Sequence, residues 1–82
     1  MADANTLCRA GIPYPVAIEL ARQMTAGAGN GSADKLIRVG LPPAQANELA
    51  AQINANAFHS HKLAAAGLPS VVAKIVKDHS GL

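Results

Sequence analysis

Three stretches of this chain align without gaps: Leu7 to Leu20 (LCRAGIPYPVAIEL), Leu36 to Leu49 (LIRVGLPPAQANEL) and Leu63 to Val76 (LAAAGLPSVVAKIV). They share the pattern L-x-x-x-G-[IL]-P-x-x-x-A-x-x-[LIV], with the glycines at 11, 40 and 67 spaced 29 and 27 residues apart. A repeat of this length is one supersecondary unit, which cannot bury its apolar face alone and does so by packing on its neighbours.

Each shared position has a physical task. Leu7, Leu36 or Leu63 closes the apolar face of a first short helix, and Gly11, Gly40 or Gly67 ends it by taking a left-handed conformation. The Ile or Leu that follows tucks between two helices. Pro13, Pro42 or Pro69 then sets the backbone for a new first turn without giving up a needed N–H. Ala17, Ala46 or Ala73 lets the second helix approach the first closely, and Leu20, Leu49 or Val76 continues the same face. The unit is a helix-turn-helix hairpin, and the chain is expected to be an all-α helical-repeat domain over 1–82, with units at about 4–24, 33–53 and 60–78.

Helices are predicted near 3–10, 14–25, 33–39, 43–57, 59–66 and 70–78. Residues 25–32, TAGAGNGS, are rich in Gly and small polar residues and read as a flexible linker. Residues 50–62, AAQINANAFHSHK, contain no Gly or Pro and are expected to continue as helix, with Ile53 and Ala57 extending the apolar stripe. The sequence leaves open whether the three units fold onto one another or splay across a partner.

Composition sets limits on the core. Half of the 82 residues are apolar, yet Ala dominates and the aromatics are Tyr14 and Phe58, so little volume is buried per apolar residue. Such a chain suits permanent packing in an oligomer or against a larger body. The net charge of +2, from seven Lys and Arg against five acids, is far from the basic footprint of many nucleic-acid binders. Lys74 and Lys77, with His79 beside them, form a weakly basic end that also complements a helix C-terminus. Arg9 with Glu19 and Arg38 with Glu48 recur in the first two units and read as exposed ion pairs worth about 0–1 kcal/mol each. Ala65 and Ile75 replace them in the third unit, where Val71 and Ile75 are candidates for an apolar docking surface.

Candidate chemistry is sparse. Cys8 is alone, which rules out an intrachain disulfide, and the histidines at 59, 61 and 79 lie far from it in sequence. His59 and His61 would chelate a metal on extended backbone, but on a helix a spacing of two points them roughly 200 degrees apart. The acids are scattered, and AGAGNGS lacks the following Lys-Ser or Lys-Thr of a phosphate loop. No catalytic residue, cofactor or metal is therefore expected. The N-terminus lacks the charged and apolar regions of a secretory signal, and no stretch is long and apolar enough for a bilayer span, so a soluble chain is expected.

Three known patterns resemble the repeat. The corner is similar to that of DNA-binding helix-turn-helix proteins, with Ala17 and Leu20 at the expected distances after Gly11. That resemblance makes Gln45, Asn47, Lys74 and Lys77 the candidate DNA-contacting residues, with Gln45 and Asn47 the base-reading types, although phosphate-contacting basic residues around them are sparse. The related helix-hairpin-helix has Gly-h-Gly at its corner, where this chain has one Gly each time. One unit at a time also resembles the ubiquitin-associated fold, including the version at the start of bacterial elongation factor Ts. The Met-Gly-Phe corner of that fold is replaced here by Ala-Gly-Ile, Val-Gly-Leu and Ala-Gly-Leu, so the likeness extends to corner geometry alone. Finally, Ala33 to Ile53, ADKLIRVGLPPAQANELAAQI, and Ala4 to Met24 resemble the N-x-x-x-L-I-x-x-G-[LIV]-P-x-x-x-A-x-x-[LI]-A-x-Q-I repeats of small tailed-bacteriophage head proteins.

That last resemblance spans most of the chain. It implies a non-enzymatic, capsid-associated decoration, cementing or head-fibre-anchoring role in the virion, reached from the host cytoplasm during assembly, with capsid or other virion proteins as partners in a multi-copy assembly. The alternatives are a cytoplasmic helix-turn-helix DNA-binding regulator and an intracellular adaptor. The low density of Lys and Arg favours protein packing over DNA.

Overall fold

A computed structural model describes residues 3–80, with side chains described through Asp78, so the sequence reading of His79 lies outside the described side chains. Six helices follow in order: α1 (Ala4–Ala10), α2 (Tyr14–Ala26), α3 (Ala33–Arg38), α4 (Pro43–Ala55), α5 (Ser60–Ala65) and α6 (Ser70–Ser80). No strand occurs among the described residues. The chain is all-α, as the repeat predicts.

The repeat pattern is spelled out in backbone hydrogen bonds. Ile12, Leu41 and Leu68 donate to the carbonyls of Leu7, Leu36 and Leu63 at 3.5, 3.1 and 3.1 Å, closing each first helix in the same way. The intervening Gly11, Gly40 and Gly67 have φ of 127°, 116° and 112°, which side-chain-bearing residues rarely adopt. Ala17, Ala46 and Ala73 donate to the carbonyls of Pro13, Pro42 and Pro69 at 2.9, 2.9 and 3.0 Å, the first bond of each second helix. Pro13 and Pro42, with φ of −58° and −57°, sit where their missing N–H costs nothing. The first helices are capped by side chains in two cases: Asp3 accepts from the Thr6 amide and Ser32 from the Lys35 amide.

The three hairpins close into a ring. Within each unit the two helices pack together, α2 then meets α3 and α4 meets α5, and α6 returns to pack on α1. Extents of 24 × 23 × 23 Å describe an almost isotropic body. Equivalent residues from each unit meet in one continuous core: Leu7, Leu36 and Leu63; Ala17, Ala46 and Ala73; Leu20, Leu49 and Val76. Burial of each such Leu is worth about 1.5–3 kcal/mol. The units therefore fold onto one another.

Two links differ from expectation. The helix predicted to run to 57 stops at Ala55, because Asn56 turns left-handed with φ 52° and ψ 40°. Ala57 is consequently exposed, while Phe58 turns inward to the core. Asn tolerates this conformation better than other side-chain-bearing residues, since its amide can bond locally. The 25–32 segment is not a free tether. Its first two residues complete α2, and the rest is fastened at Gly31 and Ser32.

Candidate functional site

What fastens the units is a repeated pair of buried side chains. The Oε1 of Gln23 accepts from the Ser32 amide at 3.0 Å, and its Nε2 donates to the Ser32 carbonyl at 3.2 Å and to Glu19 at 3.0 Å. In the second unit Gln52 does the same to His59, at 3.0 and 3.4 Å, and donates to Glu48 at 2.9 Å. Ser32 and His59 are the residues preceding α3 and α5, so each glutamine holds the start of the following unit. Both glutamines are buried with their amides satisfied, the condition under which buried polar groups stabilise a fold and fix its register. Asn54 adds an exposed two-way pair with the Gly31 backbone.

This arrangement corrects the expected ion pairs. Glu19 lies beside Arg22 at 3.7 Å and Gln23 on its own helix, and Glu48 accepts from Gln52; neither is bridged to Arg9 or Arg38. Spacing of three and four residues on one helix brings these groups together more readily than a contact across the corner.

Shallow grooves mark the surface formed by the described residues. Between α1 and α2 a groove of about 500 Å³ is lined by Asp3, Ala4, Ile18, Ala21, Arg22 and Thr25. Between α5 and α6 one of about 410 Å³ is lined by Ser60, His61, Ser70, Lys74, Lys77 and Asp78. The third, of about 300 Å³, lies beside Glu48, Gln52, His59 and Lys62.

Large apolar side chains also face outward. Tyr14 is 53% exposed and Val71 56%, with Ile18 and Ile37 near 38–39%. Tyr14 and Val71 open α2 and α6, and the corners leading into those helices meet: a Cβ on Gly11 would lie 3.9 Å from Pro69 Cγ. Of the docking residues expected from sequence, Val71 is thus exposed, whereas Ile75 is half-buried and packs on the core. Tyr14 and Ile18 were not legible as surface residues, because the same apolar letters fill the core at neighbouring positions.

The residues proposed to read DNA do not gather on one surface helix. Gln45 is half-buried on α4, and a Cβ on Gly67 would lie 2.8 Å from its Nε2. Asn47 is exposed on α4, while Lys74 and Lys77 are exposed on α6. The corner residues Gly11, Pro13, Gly40, Pro42, Gly67 and Pro69 all stand at turns, as expected.

The two histidines also depart from the helical expectation. His59 precedes α5 with φ −126° and ψ 103°, so its ring and that of His61 lie 5.9 Å apart, inclined at 60°. No third His, Cys, Asp or Glu joins them in a metal-sized cluster among the described residues. Cys8 is half-buried and packs against the core. No helix among the described residues is long and apolar enough to cross a membrane. Comparison with family models, curated proteins and solved structures finds no match for this chain.

Proposed function

We propose that this chain is a non-enzymatic docking module that packs on a larger protein assembly, with capsid-associated virion proteins as the partners that its repeat resembles. The observation that carries the reading is that Tyr14 and Val71, the most exposed of the large apolar side chains, stand at adjoining corners. The core positions of every unit are filled without these two side chains, which are more than half exposed. Burying an aromatic ring and a Val at a protein interface supplies the apolar centre that stable interfaces need. Rigid corners held by internal hydrogen bonds present them without an ordering cost. The tailed-phage resemblance of 4–24 and 33–53 supports the choice of a virion surface over a soluble partner.

Sedimentation of a nuclease-treated native lysate tests the proposal. The wild-type chain is expected to pellet with megadalton particles, and the variant carrying Tyr14→Ser and Val71→Ser to remain in the supernatant while still folded by circular dichroism. Recovery of the wild-type chain as a small species would sink the virion reading.

A further inference from the structure

We infer that His59 and His61 form an open chelate for a divalent transition-metal ion of the zinc, nickel or copper class. A helix would turn the two rings apart, but His59 stands before α5 on extended backbone, with φ −126° and ψ 103°. The rings consequently lie 5.9 Å apart, inclined at 60°. A metal–nitrogen bond of about 2.0–2.1 Å places each ring centre about 3.2 Å from the ion, so two rings on one tetrahedral ion stand roughly 5.2 Å apart. The closure of about 0.7 Å lies within the broad χ2 range of histidine.

The repeat shows that the fold does not call for these two side chains. The residues equivalent to His59, four before the first Leu of each unit, are Asp3 and Ser32, and each caps its helix by accepting a backbone amide. His59 makes no such bond, so the third unit gives up a cap at the position where it carries an imidazole. The residues equivalent to His61 are Asn5 and Asp34, so both exchanges occur in the same unit. Gln52 holds the His59 backbone from both sides, accepting from its amide at 3.0 Å and donating to its carbonyl at 3.4 Å. His61 lies in the first turn of α5, and two ligands set on fixed backbone bind at a lower ordering cost. Both histidines are exposed, which leaves the remaining coordination positions to water. Imidazole nitrogens select zinc, nickel or copper over magnesium or calcium. Glu48 and Lys62 line the groove beside His59, and their opposite charges offset one another at the ion. The chelate does not depend on the docking role.

Titration of the full, tag-free chain with zinc chloride, followed by amide and imidazole NMR, tests the inference. Saturable one-to-one shifts are expected at His59, Ser60 and His61, with a rise in melting temperature, and neither with magnesium chloride. His59→Gln and His61→Gln should each weaken zinc binding at least about tenfold, since loss of a partner that merely supports a metal ligand already costs that much. Both positions are exposed, and circular dichroism checks that each variant folds. Equal affinity in either variant and the wild type, two independent sites of equal strength, shifts gathered at other residues, or the same response to magnesium would overturn the chelate.

Discussion

Replacing Gln23 with Ala removes three hydrogen bonds at once: two to the Ser32 backbone and one to Glu19. The two neutral bonds are worth about 1 kcal/mol each and the one to a carboxylate about 1.5–3 kcal/mol, giving roughly 3–5 kcal/mol if nothing replaces them. Ser32 is half-buried, so water recovers part of the loss, leaving about 2–4 kcal/mol. Glu19 is left buried beside Arg22, whose side chain is 69% exposed and screens poorly as a partner. For a domain of this size the loss lowers the melting temperature by roughly 10–25 °C. Thermal and urea melts followed by far-ultraviolet circular dichroism measure it. Glu19→Ala combined with Gln23→Ala should cost less than the two single changes together, since they share one bond. A Gln23→Ala loss below about 0.5 kcal/mol, within the range of an ordinary surface change, would refute the claim that this side chain joins the units; strict additivity of the pair would refute only the bond to Glu19.

Two glycines should fail for different reasons. A Cβ on Gly31 would sit 2.6 Å from the Ala50 carbonyl oxygen, so Gly31→Ala pushes the linker off α4, with a cost of about 1–3 kcal/mol and NMR shifts at Ala50 and Asn54. Gly40 has open space but φ of 116°, so Gly40→Ala costs about 1–2 kcal/mol of backbone strain with shifts confined to the corner. Asp3 accepts the Thr6 amide at 2.8 Å, a bond that holds its carboxyl below the ordinary value of 3.8. A lowered folded-state pKa stabilises above that ordinary value and the contribution is lost as pH falls below it. The melting difference between the wild type and Asp3→Ala should therefore be constant above pH 3.8 and shrink below it.

The corners were legible because Gly and Pro act through bonds only a few residues long, from Leu7 to Ile12 or Pro13 to Ala17. The core was legible for the same reason, since each typed apolar position falls on one face of a short helix. The glutamine links were not, although E-L-A-x-Q stands at 19–23 and again at 48–52. Gln23 reaches nine residues ahead and Gln52 seven, across links of different length, so no single spacing announces the contact. The end of α4 at Asn56 is not announced because Asn carries no obligatory stop signal; its left-handed turn precedes Phe58, which is buried in the core. The exposure of Tyr14 depends on how the ring closes, which hydrophobic lettering alone does not encode, whereas Val71 was readable as a surface residue.

Site-specific photocrosslinking tests the docking surface most directly. A crosslinker placed at Tyr14 or Val71, with Asn47 on α4 as an exposed control, is irradiated in particles assembled in the native host. The account predicts that positions 14 and 71 capture the same virion protein and position 47 does not. Equal labelling from all three positions, or capture of nucleic acid alone, would contradict it.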